Sequence, residues 1–362
     1  MTEPISIVTE LYEPNFGGQE TRFARFAEAL ASRGRDVTVY TSDHTGGTLP
    51  AESVQRGVRV VRYVRLREYV RNGSRGLAPL VRYWRATRAL IPRLVRGGGP
   101  VWVNEMPVLH MARVRDAPRI GVDWCEYPTY WKVNLFARRI ARRFHRGTAV
   151  SLAVADHVKA IEPTLALDVV RTPVAPPGGS APARDEGTIV YVGRLVGHKN
   201  VGALAEAVRS FNKNGGPHLK LLIAGDGPDR PTLQRKYGGN GHIQFLGVVD
   251  EAEKQRLLRS SWLVAIPGTR EGLPNVAAEA TVYGTPLLAS GSPGNSCGEF
   301  IRRYDLGVVA GGVGPNDFLA ALRSVDDPSW ARWAAHATGA RSLYDPVENV
   351  NLLERTFARW SS

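Results

Sequence analysis

Cysteine is nearly missing from this chain of 362 residues: Cys125 and Cys297 stand far apart, outside any Cys-x-x-Cys or Cys/His spacing. That excludes a disulfide framework and a structural zinc site, and it points to a reducing compartment. No run of eighteen apolar residues occurs, so no membrane-spanning helix is expected. The first residues, Met1-Thr2-Glu3-Pro4, lack the basic start and apolar core of a signal peptide. The expected location is the cytoplasm, with peripheral contact at the inner membrane face as the alternative. Helix-turn-helix, zinc-finger and RNA-binding signatures are absent, so nucleic acid is not an expected partner.

Acidic residues are scarce relative to basic ones, 34 against 47, for a net charge of +13. Residues 1–176 carry a balance of +11 and the remainder only +2. Arginine outnumbers lysine by 40 to 7, which suggests a GC-rich genome but does not explain the asymmetry between halves. A basic first half invites an anionic partner, either a membrane surface or a phosphorylated molecule. What remains is ordinary for a globular protein: 43% hydrophobic and 22% charged residues, in a chain long enough for two cores.

The first half opens as a doubly wound α/β unit. Ile5 to Val8 reads as a strand, Gly17-Gly18 as a turn, and Glu20 to Ser32 as a helix with Phe23, Phe26, Ala27 and Leu30 on one face. No Gly-x-Gly-x-x-Gly fingerprint is present. Leu77 to Val95 reads as a basic amphipathic helix with Leu77, Leu80, Val81, Trp84, Ile91, Leu94 and Val95 on its apolar face, kinked or broken at Pro92. Val133 to Phe144 reads as a second. Both are ordinary surface helices or, alternatively, an interfacial patch for anionic membrane. Strand Val101–Val103 leads to Asn104, and strand Ile120–Val122 leads to Asp123, Cys125 and Glu126. These residues are candidates for orienting an acceptor hydroxyl, or are structural. His110 is a lone histidine, expected to be structural.

A Pro- and Gly-rich stretch from Val170 to Gly187 reads as a linker. The expected division is 1–171, linker 172–187, 188–344, and a closing helix over 345–362. Thr188 to Val192 is a strand feeding Gly193-Arg194-Leu195-Val196-Gly197-His198-Lys199-Asn200 and a helix from Val201 to Asn212. Leu219 to Ala224 ends in Gly225-Asp226-Gly227-Pro228. Strand Ile243–Val248 follows, and Leu263–Ile266 then enters Glu271-Gly-Leu-Pro-Asn-Val-Ala-Ala-Glu279-Ala. Pro274 suits a first helical position and Gly284 a helix stop. One carboxylate in a loop, one on a helix and the helix's N–H groups near Leu273 to Val276 would suit a sugar joined to a nucleotide through phosphates. The plain alternative is a solvated glutamate and an ordinary helical one.

Glu-Gly-x-Pro-x-x-x-x-Glu-Ala, the Arg-x4-Lys loop after Val192-Gly193, the Gly225–Pro228 turn and the strand ending at Val248 occur together and in order. This set resembles the family 4 retaining glycosyltransferases, clearly from about Thr188 to Asp327, less closely over the first forty residues and weakly between. The resemblance implies an α/β fold of GT-B type, two doubly wound Rossmann-like domains facing across a cleft, with the last helix crossing back onto the first domain. It implies that Glu271 contacts the donor sugar, that Arg194 and Lys199 bind the diphosphate, and that Glu279 holds the ribose. Gly225, Gly227, Val248, Gly272, Leu273, Pro274, Asn275 and Val276 line the donor, and Gly17 and Gly18 lie by its diphosphate. The family usually has a histidine where Asn104 and the Asp123–Glu126 segment stand, so Asp123 is the candidate for that catalytic role and Asn104 and Glu126 for acceptor contacts.

The expected activity is transfer of a hexose or N-acetylhexosamine from a nucleotide-diphosphate sugar, UDP by family frequency or GDP, with retention of configuration. No Asp-x-Asp metal motif is present, and Arg194 with Lys199 can supply the countercharge, so no metal or other cofactor is expected. The acceptor class stays open between a glycan, a cyclitol, a lipid-linked sugar and a natural product. The competing readings are a non-catalytic nucleotide-sugar-binding partner and a nucleotide-sugar epimerase of the same fold.

Overall fold

The structure is a computed structural model that describes residues 3–15, 17–66, 70–71, 74–106, 117–125, 142–179, 182–213, 218–239 and 241–361. The chain forms two compact units, Met1–Pro173 with Pro346–Ser362, and Val174–Asp345.

In the first unit the described elements are β1 (Ile5–Val8), α1 (Gly18–Ser32), β2 (Val37–Asp43), β3 (Glu52–Gln55), β4 (Val58–Arg65), the short ribbon β5 (Val70–Arg71) and β6 (Ser74–Arg75), α2 (Leu77–Arg96), β7 (Val101–Asn104), β8 (Ile120–Trp124), β9 (Arg146–Ala149), α3 (Leu152–Ile161) and β10 (Ala166–Val169). Eight of these strands form one sheet in the order β10-β9-β8-β7-β1-β2-β4-β3. It is parallel except for the edge pair β3–β4. Parallel strands are covered on both faces, which is why Ile5, Ile7 and Val8 are all fully buried although neighbours point to opposite sides. Phe23 and Phe26 of α1 meet Trp102 of β7 edge-on, with ring centroids 4.7 and 5.5 Å apart.

Helix α2 departs from its sequence reading in two ways. It runs through Pro92 to Arg96 without a break. Proline there removes only one N–H near the helix end, and Gly97 N still closes the last turn on Arg93 O and Leu94 O at 3.2 and 3.0 Å. Its buried stripe is Tyr83, Thr87 and Ile91, at four-residue spacing, whereas Leu77 is 75% exposed. The hydroxyl of Thr87 is satisfied by Tyr83 O and the Tyr63 hydroxyl, which is how a polar residue holds a core position.

The second unit alternates β11 (Asp185–Val192), α4 (Val201–Asn212), β12 (Lys220–Ala224), α5 (Arg230–Tyr237), β13 (Ile243–Gly247), α6 (Glu251–Ser260), β14 (Ser261–Ile266), α7 (Asn275–Val282), β15 (Leu287–Ala289), α8 (Ser296–Tyr304), β16 (Gly307–Val309), α9 (Pro315–Arg323) and α10 (Asp327–Gly339). Its strands lie in the order β13-β12-β11-β14-β15-β16, all parallel. The chain first winds one way from β11 and then returns to its other side at β14. Between those two strands lies the topological switch point, where an open α/β sheet leaves a crevice at the carboxyl ends.

The final helix, α11 (Pro346–Ser361), belongs to the first unit. Phe357 packs on Trp102 at 5.9 Å, and Trp360 is buried against β8. A Cβ on Gly121 would lie 2.0 Å from the Trp360 ring, so β8 needs a glycine there to admit the helix. Among the described residues no helix is long and apolar enough to cross a membrane.

Candidate active site

The switch point of the second unit brings two loops together. The loop after β11 turns through a short 3-10 segment, Gly197–Lys199, to Asn200, whose backbone is left-handed at φ +54°. From there Asn200 Nδ2 reaches across to Pro267 O and Val313 O at 3.3 and 2.8 Å. The loop after β14 answers with Thr269, whose N–H donates to His198 O at 2.8 Å. So joined, the loops set Lys199 Nζ 2.8 Å from both carboxylate oxygens of Glu271. Glu271 is 9% and Lys199 20% exposed at the side chain, so the pair is sheltered yet reachable.

Positive charge dominates this spot. Arg194 and Arg270 are exposed on the same two loops. Burial, then Lys199, Arg270 and Arg194 in turn, push the His198 imidazole down to about 4, so it is neutral at physiological pH. Burial and three cations on the joined loops thus act together to keep this imidazole neutral.

Glu271 is held by a clamp from the loop after β15. Its N–H donates to Gly294 O at 3.0 Å and its carbonyl accepts from Ser296 N at 2.9 Å, an isolated parallel bridge with Asn295. Asn295, 4% exposed, spreads its Nδ2 over Ile266 O, Gly268 O and Ser290 Oγ at 3.2, 3.0 and 3.1 Å. Its Oδ1 accepts from Cys297 N and caps α8. Both amide functions are spent on fixing backbone. Burial and the nearby Glu271 carboxylate push the Cys297 thiol up, which leaves it unreactive.

The other residues expected at the donor are placed as follows by the second unit. Pro274 is the N-cap of α7, which starts at Asn275. Gly272 and Leu273 are buried, and Asn275 and Val276 are half-buried in the first turn. Glu279, further along α7, is 1% exposed, and its oxygens lie 3.1 and 3.0 Å from Lys254 Nζ on α6. Lys254 also pairs with Glu251 at 2.9 Å. Gly225 and Gly227 sit at φ +137° and +157°, where a Cβ would lie 1.9 Å from Gly193 O and 2.3 Å from Leu195 O. Glycine is required there so that the loops after β11 and β12 can touch, with Leu195 N bonded to Asp226 O at 2.8 Å. Val248 is 79% exposed just past β13.

The first-unit candidates are placed differently. Asp123, at the end of β8, is fully buried and takes Arg22 Nε and Nη2 at 2.8 Å each, Thr148 Oγ1 at 2.5 Å and the Cys125 thiol at 2.9 Å. In this arrangement all four lone-pair sites of the Asp123 carboxylate are met by donors within the first unit. Asn104, 1% exposed, likewise spends its side chain on Gln19 Oε1 and Met106 N, both at 2.9 Å. Those two bonds tie the end of β7 to α1 and to the start of the following loop. Gly17 caps α1 in extended conformation, and a Cβ on Gly18 would meet nothing within 4 Å. Glu126, His110 and residues 133–141 of the second basic stretch lie outside the described residues.

Residues 179–326, the bulk of the second unit, match the family model of glycosyl transferases group 1. Glycogen synthase of Mycobacterium tuberculosis (strain ATCC 25618 / H37Rv) is 25% identical over 374 residues, covering 91% of this chain and 87% of that one. Sucrose-phosphate synthase from Thermosynechococcus elongatus has a similar structure, with a TM-score of 0.77 over 99% of each chain at 17% identity. The E. coli trehalose-6-phosphate structure bound with UDP-2-fluoro glucose gives 0.72 over 98% of each chain at 13% identity. The fold is GT-B. Together the likenesses support a glycosyltransferase of the GT-B type.

Three residues that shape this glycosyltransferase-like site carry no signal that sequence reasoning picks out. Asn295 lies in a Gly- and Ser-rich turn with no periodicity, and its role exists only through partners on other loops. Lys254 belongs to a helix dense in charge, where one lysine more is unremarkable. His198 lies inside the Arg-x4-Lys loop, and its depressed basicity follows only from how Arg270 arrives beside it.

Proposed function

We propose that this chain is a retaining glycosyltransferase of family 4 type that moves a hexose or N-acetylhexosamine from a nucleotide-diphosphate sugar to an acceptor hydroxyl, without a metal ion. The observation that carries the reading is the contact of Lys199 with both oxygens of Glu271 at the switch point. In such a donor, the sugar hydroxyls and the phosphate oxygens flank a single glycosidic C–O–P linkage. A carboxylate that accepts from the hydroxyls and an ammonium that neutralises the phosphate must therefore be neighbours, and these two are. As the sugar–phosphate bond breaks, charge grows on the phosphate oxygen, and Lys199 and Arg194 stabilise it in place of a metal. In front-face transfer that oxygen takes the proton of the attacking hydroxyl, and the new C–O bond forms on the face where the old one broke.

Glu279 would accept from the ribose hydroxyls, steadied from behind by Lys254, and the first turn of α7 would face the phosphates. UDP is the first nucleotide to test, since a relative with the same fold binds UDP-2-fluoro glucose; GDP is the second. The acceptor is a glycan, a cyclitol, a lipid-linked sugar or a natural product. A panel of labelled UDP- and GDP-sugars, followed for transfer and for hydrolysis, tests the proposal. Arg194→Ala should lower turnover about 100-fold, the scale of losing one donor to a developing anion. Glu279→Ala should mainly weaken nucleotide binding. Normal activity in both variants, or binding of the whole panel with no turnover, would overturn the assignment.

A further inference from the structure

The first unit carries a second cationic site, which the transferase reading does not use. The end of β4 and the second and third turns of α2 border an open surface concavity of about 570 Å³ lined by Arg62, Arg65, Arg82 and Arg85, with Tyr63 on its wall. That volume suits a small molecule. Arg65, Arg82 and Arg85 are exposed, and among the described residues none makes an ion pair or a hydrogen bond. Arg82 and Arg85 are neighbours at i,i+3 on α2, a like-charge pair that disfavours the helix until something neutralises it.

Arg62 is the fixed member. It is 6% exposed, and its guanidinium donates to Pro50 O, Ser53 Oγ and Glu13 O at 3.1, 3.2 and 3.0 Å, all of them neutral acceptors. Its Nε has no acceptor at all, a buried donor left unspent beside the concavity. The carboxylate that acts on this cluster is Asp43, which influences both Arg62 and Arg65. Its Oδ1 is already committed to Thr45 N and Oγ1 at 3.0 and 2.6 Å. Among the described residues, four guanidinium groups line this concavity, and the carboxylate acting on two of them, Arg62 and Arg65, is already partly spent, so the surplus of positive charge is local.

We propose that this concavity is a phosphate-recognition site: it takes the phosphate group of a phosphorylated small molecule or of an anionic lipid headgroup. Planar guanidinium groups pair with phosphate oxygens through two parallel N–H donors, and several around one cavity match a group with three such oxygens. The inference concerns the first unit alone and stands whether or not the second unit transfers sugar.

The test uses the full chain in three forms: wild type, Arg82→Ser/Arg85→Ser, and Arg194→Ala. Inorganic phosphate is titrated calorimetrically at matched ionic strength against chloride. Vesicles of phosphatidylcholine, with and without a minority of phosphatidylglycerol, are sedimented with each form. Phosphate should bind wild type and Arg194→Ala, and at least one binding component should weaken about 10-fold or more in the double variant, the loss expected for two charge-assisted contacts. Salt-sensitive sedimentation with phosphatidylglycerol that the double variant loses would identify a lipid headgroup as the source. Phosphate binding without sedimentation would identify a soluble phosphorylated molecule. Equal binding of both probes by wild type and the double variant, or a chloride response equal to that of phosphate, would overturn the proposal. Transfer activity of the same preparations is read separately, so a failure here is distinct from failure of the glycosyltransferase assignment.

Discussion

A sheltered ion pair lies at a strand's carboxyl end in the first unit and another in a loop past a strand's end in the second, and the two are built to opposite ends. Arg22–Asp123 in the first unit is 1% and 0% exposed, with every carboxylate lone pair met from within. Arg22 also lies over the Phe26 and Trp102 rings at 5.0 and 5.4 Å, so the cation is as enclosed as the anion. Lys199–Glu271 in the second unit is partly open and sits among uncompensated cations. The first pair has nothing left to give a ligand. The second lies among further cations and is partly open to solvent. Counting carboxylates at strand ends does not separate these cases; counting their partners does.

The comparison breaks most visibly by removing one acid from each pair. Asp123→Ala strands the Arg22 guanidinium in the core and should cost about 3–5 kcal/mol, read as a lower denaturant midpoint for the first unit. Asp123→Asn keeps most of the packing, and its activity per folded molecule should stay within a few-fold of wild type. A large loss of turnover in Asp123→Asn at unchanged stability would instead assign Asp123 a catalytic role. Lys199→Ala should behave in reverse: a smaller loss in unfolding than Asp123→Ala, because this pair is less deeply buried, but turnover lower by about 100-fold.

A smaller effect sharpens what holds Glu271. Asn295→Ala removes the side chain that fixes the backbone around the clamp, while leaving every charge and the backbone bonds of Glu271 in place. It leaves Gly268 O and Ile266 O short of a buried donor, so about 1–3 kcal/mol of stability should be lost. Because the loop bearing Glu271 loosens, KM for the donor should rise more than kcat falls. Unaltered kinetics would mean that β14 alone positions Glu271.

The alternation of strand and helix made the doubly wound architecture legible, since buried parallel strands and amphipathic helices each leave a period in the sequence. The helix from Val201 to Asn212 lies where its pattern placed it. Gly284, at φ +72° just past α7, ends that helix as a glycine stop should. Polar strand ends were not legible: β11 begins at Asp185, inside the stretch read as linker, because Asp185 and Glu186 are exposed and carry no apolar period. Edge strand β3 (Glu-Ser-Val-Gln) is silent for the same reason, with Val54 75% exposed. At the site, residue types clustered within one loop could be read, as with Arg194 and Lys199. Pairings across long separations could not: nothing local ties Arg22 to Asp123 or Asn295 to the loop before Glu271. The buried face of α2 was misread because Tyr83 and Thr87 count as polar until Tyr63 is seen to satisfy Thr87.

The gentlest probe of the cationic excess is a proton. His198 has its folded value near 4, below the ordinary 6.5 of an unfolded chain. Between those values the unfolded state binds the proton and the folded state does not, so this residue's contribution to stability is whole above about pH 6.5 and is lost as pH falls towards 4. His198→Asn should therefore shrink the drop in Tm between pH 7 and pH 5 by roughly 1–3 °C relative to wild type. A bound nucleotide diphosphate would offset Lys199, Arg270 and Arg194 and let His198 keep its proton, so the Tm gain on adding UDP should grow at pH 5 in wild type more than in the variant. The same measurement on Lys199→Ala separates the causes: with the neighbouring ammonium gone, His198 regains basicity and the wild-type pH sensitivity should weaken. If all three proteins lost stability in parallel with falling pH, the charge at the switch point would already be balanced by groups other than a ligand, and the contrast with Arg22–Asp123 would collapse.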